Sequence, residues 1–107
     1  MGMIGMKFYR NLYVGESIKN PGLIKWKLRT GRGQIGTYVI SLCEYEDQLE
    51  CFHNSLLKQK FFPKKNLRIV GITGSYEEAL TMIAAITQEI VEKTGNADIK
   101  KYFMERF

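Results

Sequence analysis

The fold is decided by residues 67–95, which read LRIVGITGSYEEALTMIAAITQEIVEKTG. Residues 67–72 are apolar and rich in β-branched side chains, which predicts a short strand. Gly71 and Gly74 mark a turn, and the residues that follow have helical spacing. The stretch therefore predicts a strand, a turn and a long helix over residues 75–94.

Both ends of this helix carry a recognisable cap. Ser75 can accept a hydrogen bond from a free backbone N–H of the first turn, and Glu78 completes a capping box. Gly95 suits the left-handed residue that ends many helices. The apolar residues between the caps recur at helical spacing and predict a stripe that faces the core. That stripe comprises Ala79, Ile83, Ile86 and Ile90, widened by Leu80 and Val91.

A glycine turn before a helix N-terminus is also typical of a phosphate site, so two interpretations compete. The glycines are not followed by the Lys-Ser or Lys-Thr pair of a P-loop. Glu77 and Glu78 would repel a phosphate, and the capping box uses N–H groups that a phosphate would need. A structural turn is therefore favoured. The caps do not require an aromatic residue at Tyr76, which remains a candidate binding residue.

Composition is typical of a small globular protein. The chain has 107 residues, 45% of them hydrophobic, and a net charge of +5. This length predicts a single domain over residues 1–107, with residues 1–6 disordered or preceding an alternative start at Met3 or Met6. No apolar run approaches the roughly 18 residues of a membrane span, and no secretory signal is recognisable. Cys43 and Cys51 are therefore expected to be reduced, in the cytoplasm.

The remaining elements also follow from periodicity. Residues 7–14 predict an aromatic first strand, and residues 37–45 predict a strand that pairs with residues 48–53 in a hairpin. Residues 22–30 fit two patterns, because their apolar residues alternate with basic ones as in a strand. Caps at Asn20-Pro21 and Gly31 favour a helix there.

The C-terminal half completes the predicted fold. Residues 54–62 fit either a short helix or an irregular crossing. Asn96 or Asp98 can cap a short C-terminal helix that docks through Ile99, Tyr102 and Phe103. The order of elements predicts an α+β fold: one mainly antiparallel sheet of four to five strands, with the long helix across one face.

A succession of short blocks resembles a family of small bacterial proteins with no established activity. The blocks are GES-x-KNP-x-x-IKWKL from Gly15, G-x-YVI-x-L from Gly36, DQLE-x-x-H from Asp47, LLKQ from Leu56 and IVGI-x-x-SYEEA from Ile69. The resemblance extends over about residues 13–90. The resemblance implies a bacterial, cytoplasmic setting and supplies no catalytic residues.

Two motifs suggest chemistry and fail on context. Gly31, Gly33 and Gly36 form a G-x-G-x-x-G pattern, but it leaves a predicted helix and enters a strand, the reverse of a dinucleotide fingerprint. A flexible connector is favoured. The carboxylates around the hairpin turn favour a solvated acidic patch over a catalytic pair. They are Glu44, Glu46, Asp47 and Glu50.

Cys43, Cys51 and His53 form the one cluster of reactive side chains. Cys51 and His53 share a face of the predicted strand, but residues two apart stand about 6.5–7 Å apart at their bases. Whether Cys43 joins them depends on the hairpin register. Two cysteines and one histidine fall short of a four-ligand zinc site. Structural roles are favoured, and Cys51, His53 and Tyr76 form a candidate pocket. No catalytic residue, metal or cofactor is predicted.

The basic residues give the strongest binding signal. They occur in two runs without an acidic residue, one around Trp26 and one around Phe61-Phe62. Cations interleaved with aromatic side chains are typical of surfaces that bind single-stranded nucleic acid. The alternative is that Trp26 anchors the core beneath an ordinary solvated face. The candidate surface comprises Lys25, Trp26, Lys27, Arg29, Arg32, Lys58, Lys60, Lys64, Lys65 and Arg68.

These observations predict a non-enzymatic module that binds another protein or copies of itself. No convincing active site emerges, and six Tyr and six Phe residues are many for a small surface. Binding of nucleic acid or another polyanion through residues 19–32 and 58–68 is the alternative. An enzyme that uses Cys51 or His53 ranks third. No membrane partner is expected.

Overall fold

The computed structural model describes residues 6–30, 36–43, 46–58 and 67–107. These residues form, in chain order, β1 (Lys7–Val14), α1 (Pro21–Thr30), β2 (Tyr38–Leu42), β3 (Leu49–His53), a 3-10 helix (Asn54–Lys58), β4 (Arg68–Thr73), α2 (Tyr76–Thr94) and α3 (Ile99–Met104). The predicted α+β fold, with its long helix and short C-terminal helix, is confirmed. Predictions for Gly31, Arg32, Gly33, Glu44, Lys60, Lys64 and Lys65 lie outside the described residues, as does the side chain of Lys58.

The described strands form one mixed sheet in the order β1-β4-β2-β3. β2 pairs antiparallel with β3 and with β4, whereas β1 pairs parallel with β4. The predicted hairpin is confirmed, with Tyr38 opposite His53 and Leu42 opposite Leu49. The sheet is thus mainly antiparallel, and β1 and β3 are its edges.

The edge strand β1 is irregular. Phe8 pairs with Ile69 and Tyr13 with Gly71, so a long stretch of β1 matches a short stretch of β4. The extra residues on β1 include Arg10, which is exposed. Such a bulge bends the strand and interrupts the hydrogen bonding of the pair.

α1 resolves the choice between helix and strand at residues 22–30 in favour of the helix. The Asn20 Oδ1 atom accepts a hydrogen bond from the Leu23 N–H at 3.1 Å, which caps the helix start as its sequence predicts. Leu28 is buried, but Trp26 is 51% exposed. The alternative, in which Trp26 anchors the core, is therefore excluded. In a helix Trp26 lies on the side opposite Leu28, whereas in a strand both would share a face.

The caps of α2 are as predicted, apart from the side chain of Glu78. The Ser75 Oγ atom accepts from the Glu78 N–H at 3.1 Å, and Gly95 ends the helix with a φ of 81°. The Glu78 carboxylate does not complete a capping box at Ser75. It accepts from the Gly74 N–H at 2.8 Å and from the Ser17 hydroxyl at 2.6 Å. Glu78 binds these two groups because the fold brings Gly74 and Ser17 close together. The approach is so tight that a side chain on Gly74 would collide with Ser17.

Two apolar clusters fill the two faces of the sheet. The first lies between the sheet and the helices α2 and α3, with Ile40, Val70 and Phe103 fully buried. The second lies under α1, where Leu28 packs on the opposite face of the strands. Its other buried members are Val39, Phe52, Leu57, Leu67, Ile69 and Ile72, with Met6 partly buried against them.

The predicted core stripe of α2 is narrower than expected. Ala79, Ile86 and Ile90 are buried, and Ile83 is half-buried. Leu80 and Val91 are 46% and 38% exposed, so their assignment to the core is wrong. Both project from a side of the helix that no other described element covers. Helical spacing gives the width of an apolar face but does not say what covers it.

α3 docks as predicted but is held by a different residue. Ile99, Tyr102 and Phe103 are all buried. Asp98 makes no side-chain cap bond, and the Asp47 carboxylate instead accepts from the Lys100 N–H at 2.7 Å. Asp47 belongs to the hairpin turn, so this acidic residue fastens the turn to α3.

Replacing Phe103 with alanine is expected to lower the free energy of unfolding by about 3–5 kcal/mol, because the side chain is fully buried. The neighbouring Met104 is 50% exposed and provides a matched control. Met104→Ala should change the free energy by about 0.5 kcal/mol or less. Urea unfolding followed by circular dichroism measures both. Equal losses in the two variants would contradict the burial of Phe103 between α3 and the sheet.

The Glu78→Gln variant should be less stable than the wild type at neutral pH. Hydrogen bonds from Ser17, and secondly from Gly74, lower the pKa of Glu78 below its ordinary value of 4.5. A carboxyl whose pKa is lower in the folded state adds stability above its unfolded pKa and loses that contribution as the pH falls through its folded pKa. The difference between the two proteins should therefore be full above pH 4.5 and shrink below it. Glu77→Gln, in the same helical turn, is the control, and urea unfolding across pH is the measurement.

Candidate functional site

β3 presents an open edge in the described part of the chain. The Asn54 N–H donates to the Thr37 carbonyl at 2.9 Å, which fixes the phase of the β2–β3 pairing. Hydrogen-bonded pairs alternate along antiparallel strands, so the backbone groups of Glu50 and Phe52 also face β2. The N–H and C=O groups that point away from β2 belong to Leu49, Cys51 and His53.

The side chains of these same residues lie on the face of the sheet that α2 covers. The rings of Tyr38 and His53 meet edge to face, with their centroids 5.2 Å apart. The ring centroids of Tyr76 and Tyr38 are 5.8 Å apart. Tyr38 therefore joins two members of the predicted pocket, and Cys51 lies one step along the same face of β3. Tyr76 is 51% exposed, so the group forms an open aromatic surface beside the β3 edge.

α2 turns different sides to the two edges of the sheet. Towards β1, Glu89 accepts a hydrogen bond from Tyr13, and Met82 lies on the same side. Leu80 and Val91 project from the opposite side of the helix, which therefore faces the β3 edge. We call this side the outer flank of α2. It comprises Tyr76, Leu80, Ala84, Thr87 and Val91, of which only Thr87 is half-buried and the others are exposed.

The chemistry at β3 is poorly suited to nucleophilic catalysis. Burial, and secondly the Glu50 carboxylate, raise the pKa of the Cys51 thiol, which favours the unreactive protonated form. The Nδ1 atom of His53 accepts from the Ser55 N–H at 3.1 Å and lies 2.9 Å from its hydroxyl. That nitrogen is therefore occupied and the proton of the neutral ring sits on Nε2. Cys51 and His53 therefore do not form an activated pair of thiolate and imidazole.

The predicted basic surface is divided between the two faces of the sheet. Lys25 and Arg29 lie over the ring of Phe8 at 5.5 and 4.8 Å, beside the exposed Trp26. Arg68 instead lies over Phe107 at 5.5 Å, on the face of the first cluster. The structure thus brings together the α1 members of the set, with Lys27, and separates Arg68 from them.

Sequence reasoning missed a polar contact between β1 and α2. The Tyr13 hydroxyl donates to Glu89, whose carboxylate also lies 4.0 Å from the Lys93 amine. Burial, and then this hydrogen bond, raise the pKa of the Tyr13 phenol. Tyr13 and Glu89 both line two neighbouring cavities, of about 710 and 500 Å³. Tyr13 and Glu89 are far apart in the chain, so no local pattern could have paired them.

Potential metal ligands do not cluster in the part of the chain that the structure describes. Those residues contain no group of three or more His, Cys, Asp or Glu side chains placed to hold a metal ion. Among the same residues, no helix has the length and apolar character needed to cross a membrane. Cys43 and Cys51 are both free thiols.

No protein-family model, curated protein or solved structure matches this chain. Its function must therefore be inferred from its own surfaces. The resemblance to a family of small bacterial proteins stays a prediction.

Proposed function

We propose that this protein is a non-enzymatic module that binds an extended segment of another polypeptide, which adds as a strand to β3. One observation carries the proposal: the open edge of β3 lies beside the exposed outer flank of α2. An added strand would form backbone hydrogen bonds with β3 and contact the helix with alternate side chains. This combination is the usual physical basis of strand addition.

The backbone groups of β3 favour such a partner. Leu49, Cys51 and His53 each present an N–H to the open edge, and Leu49 and Cys51 also present a C=O, because the His53 C=O accepts the first hydrogen bond of the 3-10 helix. Each edge bond that replaces water contributes about 0.5–1.5 kcal/mol. β3 is regular over its whole pairing with β2. It therefore offers an undistorted template, in contrast to β1.

The outer flank of α2 supplies the apolar part of the surface. Leu80 and Tyr76 lie one helical turn apart, and 46% and 51% of their surfaces are exposed. Completing the burial of a leucine is worth up to about 1.5–3 kcal/mol. Tyr76 and Tyr38 add aromatic area that is ordered before binding, which limits the entropy lost.

The absence of an activated nucleophile at β3 supports a binding role over catalysis. We also propose a cytoplasmic setting in a bacterium. The two free thiols, which a reducing compartment preserves, support the cytoplasm, and the bacterial setting is what the resemblance in sequence implies.

Selection from a random nonapeptide display library should enrich peptides in which apolar residues alternate. Binding of an enriched peptide should slow the amide exchange of Leu49, Cys51 and His53 in NMR spectra. Cys51→Pro should weaken binding by about tenfold or more, because proline lacks an N–H and its ring blocks the edge. The Cys51 N–H points away from β2, so this change leaves the β2–β3 bonds intact.

The control for this experiment is Cys51→Val, which keeps the N–H and should retain binding. Leu80→Arg provides a second test on the exposed flank, where folding is not at risk. Peptides that bind equally well to Cys51→Pro and Leu80→Arg would show that the site lies elsewhere. Failure of the protein, used at a concentration where it is monomeric, to enrich any peptide would also count against the proposal.

Single-stranded nucleic acid is a second candidate ligand, because Trp26 projects from the middle of a basic helix face. Lys25 and Arg29 flank it on one side and Lys27 on the other, by helical geometry. α1 has no acidic residue, and the described residues give these cations no carboxylate partner. An exposed aromatic ring among cations is suited to stacking with a base.

Trp26 is the only tryptophan, so its fluorescence reports on this face alone. An oligothymidine should quench it at low salt, with an affinity that falls as salt rises. Replacing Lys25, Lys27 and Arg29 with glutamine should lower the slope of log affinity against log salt by about 2. Arg68→Gln, on the other face, should leave the slope unchanged. No quenching at low salt, or an equal loss in Arg68→Gln, would exclude this ligand.

A further inference from the structure

We infer that the strand added to β3 is β3 of a second copy of this chain, in a two-fold dimer whose axis passes beside Cys51. The inference rests on the proposed function and names its partner. The two sheets would join edge to edge into one continuous sheet. The two α2 helices would lie side by side on the same face of that sheet.

The backbone selects the register of this pairing. The groups that point outward belong to Leu49, Cys51 and His53, and Cys51 is the middle residue of β3. Antiparallel pairing about Cys51 sets Leu49 against His53 of the second copy, and Cys51 against its own counterpart. Every outward N–H of β3 then faces an outward C=O of the second copy, and the His53 C=O would accept this bond in addition to the first bond of the 3-10 helix. If one strand is shifted by two residues relative to the other, some of the outward backbone groups of β3 have no partner.

Charge also favours this register. Glu50 is exposed on the other face of β3, opposite Phe52 of the second copy in the register centred on Cys51. A register centred on Glu50 would place the two Glu50 carboxylates directly opposite each other. Like charges in that position destabilise an antiparallel pair. The sequence therefore disfavours a competing alignment of the same two edges.

The outer flank of α2 fits the same two-fold axis. α2 packs on β3 and β2 and, to a lesser extent, on β4, and neighbouring strands are about 4.8 Å apart. A helix above the space between β2 and β3 would lie about 5 Å from the axis, so the two helix axes would be about 10 Å apart. Packed helices are about 8–10 Å apart.

The flank residues also have the spacing of a helix–helix contact. Leu80, Ala84, Thr87 and Val91 recur every three to four residues, and the small Ala84 and Thr87 allow a close approach. The antiparallel helices would turn their outer flanks, which carry Leu80 and Val91, towards each other. The dimer therefore covers the apolar side chains that the single chain leaves exposed.

The mass of the full-length protein in solution tests this inference first. Size-exclusion chromatography with light scattering, over a wide range of concentrations, should show a dimer that dissociates on dilution. Cys51→Pro and Leu80→Arg should both shift the protein to the monomer, whereas Cys51→Val should remain dimeric. Circular dichroism confirms that each variant is folded.

A thiol oxidant tests the position of the axis. Residues in a hydrogen-bonded antiparallel pair have Cα atoms about 5.5 Å apart, within the range that a disulfide spans. In a Cys43→Ser background, diamide should therefore join two chains through Cys51. The matched Cys51→Ser protein, which keeps Cys43, should not form a covalent dimer.

A monomer at all concentrations overturns the inference. If that monomer still binds selected peptides and Cys51→Pro abolishes the binding, the proposed function stands without the dimer. A dimer that neither Cys51→Pro nor Leu80→Arg dissociates, and that does not cross-link at Cys51, uses another surface and also overturns it.

Discussion

The carboxylate of Glu78 holds together parts of the chain that are distant in sequence. It accepts hydrogen bonds from Gly74 in the turn before α2 and from Ser17 in the connection after β1. The approach is close enough that a side chain on Gly74 or Gly15 would collide with Ser17 or Glu78. Because α2 begins at this point, the contact fixes where the helix crosses the sheet. It therefore also decides which side of α2 faces β1 and which faces β3.

The position of α2 leaves one part of the molecule incompletely covered. Tyr13 and Glu89 join the helix to the β1 side, and α3 packs its aromatic residues against the same side. The opposite side of the helix keeps Leu80 and Val91 in contact with water. Exposed apolar area costs about 25 cal/mol per Å² relative to burial. The exposed Tyr76, Leu80 and Val91 lie together on this side of α2, so a single partner could cover these three side chains.

Local patterns predicted local structure well. Asn20, Ser75 and Gly95 each cap a helix end as their sequence context predicts, because a cap depends only on residues within one turn. Contacts between distant segments could not be read in this way. Glu78 binds Ser17 rather than Ser75, and Asp47 rather than Asp98 holds α3, because each acceptor binds the donor that the tertiary fold brings near.

The candidate site was only partly predictable for the same reason. The sequence predicted a pocket at Cys51, His53 and Tyr76 from the chemistry of their side chains. The structure places these residues beside one edge of the sheet. β3 is an edge because β1 pairs parallel with β4 and not with β3, which could not be read from the sequence. β1 is irregular between Phe8 and Tyr13, so the β1 edge is less able than the β3 edge to pair with an added strand. A regular strand can template another, whereas a bulged and charged one resists it. Occupying β3 would leave no regular edge among the described strands, so an assembly through β3 would be finite, and the fibrils that flat two-edged sheets can form would be disfavoured.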